Sequence, residues 1–341
     1  MKDLFVSDYG VTDRAFLCVG RITNPAEMIR SETVYRILAL CGTDPKKSGA
    51  SSSDWELFAT FCEAAELLHG HREADEILAM LCRHLVFSLP FTKENAAVLW
   101  REAVDQLSAC PLSARDLLPQ GIACLCDGET APKGILEGMP VLLDGDSLCM
   151  RKGETTAALH ARIRATVEKF SVMGCVGVRF SLPEDFVFTP PNPYAVEEAA
   201  RKSRRDAQAC SLMLSQTFRE LAQACSDAHL PIVLESACGT AVARLLEYTA
   251  RTVGLKDLTV SAREATARDA LIPLAVSLDL RIALSMRDVQ TEGEADASLA
   301  SLAARYPIGR VRILTGTDLR WSAEAQAMAE ARLCRFFEKS R

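Results

Sequence analysis

Near its C-terminal end the chain reads Ile313-Leu314-Thr315-Gly316-Thr317-Asp318-Leu319-Arg320, an apolar run closed by a carboxylate and a guanidinium. This is the character of a parallel strand whose C-terminal end carries chemistry. Asp318 could take and return a proton there, and Arg320 could hold an anion. The arrangement recurs along the chain. Glu235 follows the apolar run 231–234, and Arg21, Asp127, Arg179 and Arg287 each stand at the expected end of another run. A carboxylate at such a rim must be paired or solvated. Two readings of the set stay open. Either it is a salt-bridge network closing an unused top, or it is a pocket for a small polyhydroxylated acid. In the second reading Asp318 and Arg320 are catalytic. Arg21, Asp127, Arg179, Glu235 and Arg287 then bind the ligand, since guanidinium forks match carboxylates.

Other residue types argue mostly for what the chain does not do. His69-Gly70-His71 is the one His-x-His. Imidazoles at that spacing point the same way only on a strand, whereas this pair ends one helical pattern and precedes another. A helix C-terminal cap is expected, not a metal site. His84, His160 and His229 are isolated. There is no Gly-x-Gly-x-x-Gly after a strand, no Walker loop and no Gly-x-Ser-x-Gly elbow, so nucleotide binding and serine-nucleophile chemistry lack support. The 13 cysteines stand singly apart from Cys124-Leu125-Cys126. That pattern suits buried, reduced thiols in a cytoplasmic protein. A net charge of −6 argues against a nucleic-acid partner. The basic run Arg201-Lys202-Ser203-Arg204-Arg205 sits in an Ala-rich segment and reads as a solvated helix face. The first nine residues carry acidic groups and no long apolar run, and nothing approaches the ~18 apolar residues of a membrane span. No signal peptide and no membrane partner are expected; a homo-oligomer stays open.

These residues need a frame to hold them. Short, near-continuous apolar runs at 16–20, 121–126, 139–143, 175–180, 231–234, 258–261, 281–285 and 311–314 read as eight strands. Helical patterns at 155–170, 240–253, 295–305 and 323–338 alternate with the later ones. Strand–helix alternation indicates a parallel sheet, and eight units close naturally into a barrel. The fold expected is α/β, a (β/α)8 TIM barrel forming a single domain over 1–341. Residues 31–119 interrupt the rhythm with amphipathic helical patterns at 33–41, 54–68, 74–85 and 93–107, the last with Thr92 as N-cap. They read as a helical insertion between strands 1 and 2, with a mobile Ser/Gly-rich linker at 46–53.

With these motifs in place, the chain resembles the uronate (glucuronate) isomerase family of the amidohydrolase superfamily. Val34-Tyr35-Arg36-Ile37-Leu38 looks like that family's Trp-Arg-x-Met-Arg helix, and Asp54-Trp55-Glu56-Leu57-Phe58 like the helix after it. Lys93-Glu94-Asn95-Ala96 through Trp100, then Leu112-Ser113-Ala114-Arg115-Asp116-Leu117-Leu118, resembles the family's run into the second strand. Cys124-Leu125-Cys126-Asp127 stands where the family has Thr-Thr-Asp-Asp, and Thr317-Asp318-Leu319-Arg320 looks like its Thr-Asp-Ser-Arg. Order and spacing carry the likeness over most of the chain.

The resemblance implies a barrel that interconverts aldose and ketose uronates with a bound divalent metal. This chain departs from the family at the metal. The first-strand His-x-His falls on Val19-Gly20-Arg21, and the fifth-strand histidine on Glu235. The Ser-Asp-His after the fourth strand falls on Val178-Arg179-Phe180, and the Arg-Pro-Asp after the third near Leu143-Asp144-Gly145. No metal ligand set is therefore assigned and no cofactor is expected, although Asp318 and Glu235 could hold a hydrated divalent ion weakly. Arg21 could stand in for the metal's charge beside those two carboxylates. Three functions stay open: a divergent uronate isomerase with altered or impaired catalysis, a sugar-acid-binding or interaction barrel without turnover, and a metal-independent enzyme on the same scaffold.

Overall fold

A computed structural model of the chain describes residues 9–10, 20–117, 123–127, 141–201, 206–236, 239–255, 257–262, 265–285, 292–306, 311–314 and most of 324–331. Its contacts divide the chain into two compact units. One is built around Asp8–Ile122, the other around Ala123–Asp288 and Asp296–Leu314.

Among the described residues, the first unit holds the two-residue strand β1 (Tyr9–Gly10) and seven helices: α1 (Pro25–Ile29), α2 (Glu32–Leu40), α3 (Pro45–Ser48), α4 (Asp54–Ala65), α5 (Arg72–His84), α6 (Ala96–Ala109) and α7 (Ala114–Leu117). Apolar residues at helical spacing give it a core of its own, in which Met28, Ile37, Phe58, Phe61, Ile77, Met80 and Leu99 are fully buried. Ser53 starts α4 with a capping box: its side chain accepts from the Glu56 N–H while the Glu56 carboxylate accepts from the Ser53 N–H.

Two local expectations need correction. The stretch 46–53 is not a loose linker, because it contains most of α3 and is tied down by Arg30. That guanidinium donates to the Ala50 and Ser52 carbonyls at 3.1 and 3.0 Å. Thr92 does not cap α6. It accepts from the Asn95 N–H in a preceding turn, and Asn95 is the N-cap residue. His69-Gly70-His71 lies in the turn between α4 and α5, with Gly70 at φ +80°. Burial first of all keeps the His71 imidazole below its usual pKa.

Among the described residues, the second unit carries seven parallel strands: β2 (Ala123–Asp127), β3 (Val141–Asp144), β4 (Cys175–Leu182), β5 (Ile232–Ser236), β6 (Leu258–Ala262), β7 (Arg281–Ser285) and β8 (Val311–Leu314). From β2 to β8 they pair in chain order. Between them run α8 (Thr156–Val172), α9 (Pro193–Arg201), α10 (Ala207–Ala228), α11 (Gly239–Thr252), α12 (Ala265–Ser277) and α13 (Glu292–Ala303). The strand expected at 16–20 lies outside the described residues apart from Gly20. Most of the helix expected at 323–338 lies outside them too. Of the basic run, Arg201 closes α9, and residues 202–205 lie outside the described residues. No described helix is long and apolar enough to cross a membrane.

The strands are less uniform than near-continuous apolar runs suggest, because they alternate. On β4 to β7, Val178, Phe180, Leu182, Leu234, Val260, Ile282 and Leu284 occupy one face and are buried. Phe180 packs on Phe218 of α10 with ring centroids 5.7 Å apart, so this face meets the helices. Successive side chains point to opposite faces. The other face therefore carries Gly177, Arg179, Ser181, Val233, Glu235, Thr259, Ser261 and Ala283, with Leu142 of β3 beside Gly177. Toward the C-terminal ends of the strands that face is polar, and the site is built there.

Candidate functional site

The register places Asp127, Asp144 and Arg179 side by side on β2, β3 and β4. Two residues further along, it aligns Ser181, Glu235 and Ser261 on β4, β5 and β6. Charged and hydroxyl groups thus collect toward the C-terminal ends of adjacent parallel strands.

Beyond β3 the chain turns at once into a short 3-10 helix, Gly145–Leu148. Asp144 starts it, its Oδ1 accepting from the Asp146 N–H at 3.2 Å. Glycine is required at 145 by space: a Cβ there would meet the Arg179 carbonyl oxygen at 2.9 Å and Leu221 Cδ2 at 3.0 Å. This close approach lets Asp146 reach β4. Its Oδ1 accepts from the Ser181 N–H at 2.7 Å, and its Oδ2 accepts from the Ser181 hydroxyl.

Arg179 ties the cluster together. Its Nη1 lies 2.6 Å from Asp146 Oδ2 and 3.4 Å from Asp144 Oδ1, and its Nη2 lies 2.9 Å from Glu235 Oε2. The side chains of Arg179 and Glu235 are only 12% and 9% exposed, so these pairs are poorly screened by solvent. Arg179 Nε is buried without a hydrogen-bond partner. Burial holds the Asp144 carboxyl above the usual aspartate range, the Asp146 charge adds to the rise, and Arg179 partly offsets it. One guanidinium faces three carboxylates, so the cluster carries excess negative charge when all three are ionised. What it offers a ligand is carboxylate oxygen, which accepts from sugar hydroxyls and moves protons; the Arg179 Nη groups are already taken.

Of the residues singled out in the sequence, Arg179 and Glu235 are joined directly. Both lie inside their strands, Arg179 with three further residues of β4 after it, and not just beyond strand ends. Asp127 closes β2 in register with Asp144. Arg21 is exposed and belongs to the other unit. Arg287, Asp318 and Arg320 lie outside the described residues. Sequence reasoning passed over Asp144, Asp146 and Ser181. The signals were there: Asp144-Gly145-Asp146 directly follows an apolar run, and Ser181 stands two residues after Arg179 on a strand.

The divalent metal of the resembled family finds no matching donors in this cluster. Among the described residues no three His, Cys, Asp or Glu side chains are grouped to hold an ion. The carboxylates that come nearest to doing so share the Arg179 guanidinium as counter-charge.

In sequence the chain matches no protein family and no curated protein. In structure it is similar to glucuronate isomerase from Caulobacter crescentus, with a TM-score of 0.79 and 12% identity, covering 99% of this chain and 86% of that one. It is also similar to uronate isomerase from Thermotoga maritima, with a TM-score of 0.76 and 11% identity over 95% of this chain and 85% of that one. At such identities the likeness establishes a shared α/β fold.

Proposed function

We propose that this protein is a divergent sugar-acid isomerase of the uronate isomerase kind, interconverting the aldose and ketose forms of a hexuronate. The sheet closes as a (β/α)8 barrel, and residues 31–119 form a helical insertion within the 1–341 chain. One observation carries the reading. On a fold shared with two uronate isomerases over nearly the whole chain, the face of β3 to β5 opposite Phe180 ends in the cluster of Asp144, Asp146, Arg179, Ser181 and Glu235. Enzymes with such barrels keep their chemistry at the C-terminal ends of the strands.

In this reading the carboxylates accept from the sugar hydroxyls, and Arg179 holds them in place. Asp318 moves the carbon-bound proton, as the resemblance implies. Arg320 and Arg287 take the sugar's carboxylate, and Asp127 lines the pocket. No step is routed through a metal, because the described donors do not suit one. The protein works as a soluble cytoplasmic enzyme.

A second reading has its own support. Arg179 engages three carboxylates, and such an internal network could equally close a barrel that binds a sugar acid without turning it over. Turnover of D-glucuronate and D-galacturonate, with and without Zn²⁺ or Mn²⁺, separates the two. Ketose formation that disappears in Asp318→Asn supports the isomerase. Thermal stabilisation by a hexuronate with no turnover under any metal supports the binding barrel.

A further inference from the structure

Aldose–ketose isomerisation moves two protons, one between carbons and one between oxygens. Resting on the isomerase reading, we propose that Asp144 is the acid/base group that carries the oxygen-bound proton between O1 and O2 of the sugar acid, with Asp146 as its fixed partner.

The three carboxylates of the cluster are not equivalent. Asp146 is held at both oxygens, by Ser181 through its N–H and hydroxyl and by Arg179 at 2.6 Å. Glu235 is held by Arg179 at 2.9 Å and its side chain is 9% exposed. Asp144 is held at Oδ1 alone, by the Asp146 N–H at 3.2 Å and by Arg179 at 3.4 Å. No described residue donates to its Oδ2, and its side chain is 26% exposed, against 31% for Asp146 and 9% for Glu235. Of the two exposed carboxylates, Asp144 is therefore the one with an oxygen to which no described residue donates. The groups facing it are Asp146 from the 3-10 turn and Arg179 from β4, with Glu235 of β5 beyond the guanidinium and Asp127 next in register on β2. Burial and the Asp146 charge both favour its protonated form. In its protonated form the carboxyl can donate to a carbonyl oxygen.

The step balances without an external oxidant or reductant. Protonated Asp144 gives its proton to carbonyl O1 as Asp318, the carbon base of the isomerase reading, takes the proton from C2, and the C2–H electron pair forms the C1=C2 bond of an enediol. The Asp144 carboxylate then takes the proton from O2 as C2=O forms. The C1=C2 pair takes back at C1 the proton that Asp318 holds, which completes the ketose and returns both groups to their starting states.

The test is the kinetics of Asp144→Asn beside Asp146→Asn, with hexuronate-induced thermal stabilisation read in parallel. Asparagine keeps the shape of Asp144 but cannot pass a proton. Asp144→Asn is expected to lower kcat by roughly 10²–10⁴-fold while KM and the thermal shift stay within about 3-fold of wild type. A merely structural role would instead raise KM and abolish the shift. Asp146→Asn removes a neighbouring negative charge, so the alkaline limb of the kcat profile should move to lower pH. This second readout decides the matter if Asp144→Asn does not fold. An active wild type whose Asp144→Asn variant keeps its kcat within about 3-fold, or whose Asp146→Asn profile does not move, overturns this proposal alone. A wild type that turns over no hexuronate overturns the isomerase reading and this proposal with it.

Discussion

Replacing Arg179 with methionine should be among the most damaging single changes in the second unit. The methionine keeps the aliphatic stem and removes the cation shared by Asp144, Asp146 and Glu235. Two of the contacts are short, at 2.6 and 2.9 Å, and the guanidinium side chain is 12% exposed. Two unit charges about 4 Å apart interact by about 4 kcal/mol at an effective dielectric constant of 20. Part of that is recovered when water and neighbouring groups relax around the carboxylates. Removing one partner of such a buried pair leaves a net loss of about 3–5 kcal/mol. Urea unfolding followed by circular dichroism near pH 7.5 reads it. The sign with pH is fixed. Without the guanidinium, the folded-state carboxylate pKa values rise, so the loss is greatest at neutral pH and shrinks as falling pH protonates them. Adding Glu235→Gln to Arg179→Met should restore part of the stability. A loss below about 1 kcal/mol, or one that is equal near pH 7.5 and pH 5, would refute the picture of a shared, buried cation.

Other perturbations test neighbouring parts of the account. Asp144 has a raised folded-state pKa, so its ionised form works against folding above the ordinary aspartate range. Asp144→Asn should raise the melting temperature at neutral pH and give no gain in acid below that range, even as activity falls. Gly145→Ala must push a methyl group against the Arg179 carbonyl and Leu221. It should destabilise by about 1–3 kcal/mol and lower turnover by displacing Asp146, as chemical denaturation and kinetics would show. Among the described cysteines, Cys110 is exposed, whereas Cys62 and Cys225 are buried. Burial pushes the Cys62 thiol up to about 12 and raises that of Cys225. Maleimide labelling of the native protein followed by peptide mapping should find Cys110 modified well before either.

The parts of the fold legible in the sequence are those written by local patterning. Strands β2 to β8 start and end within two or three residues of their apolar runs, because a strand buried against helices must be apolar along one face. Helices α2, α4, α5, α8 and α11 follow their 3.6-residue periodicity just as closely. What escaped was set by tertiary contact. Residues 46–53 look like a linker by composition, yet Arg30 fixes them from twenty residues away.

The site shows the same division. Arg179 and Glu235 could be picked out because a charge at the end of an apolar run is conspicuous. Their pairing could not, since it depends on the β4–β5 register. Asp144, Asp146 and Ser181 were missed because short polar residues after a strand usually mean only a turn. It takes the close approach at Gly145 to turn that segment into part of a charged cluster.

The central claim is that this cluster serves hexuronate isomerisation. It is met most directly by proton NMR of D-glucuronate and D-galacturonate incubated with the wild-type protein in D₂O. The account expects ketose signals to grow in for at least one of the two sugar acids. Spectra that stay unchanged for both, with and without added divalent metal, would contradict it.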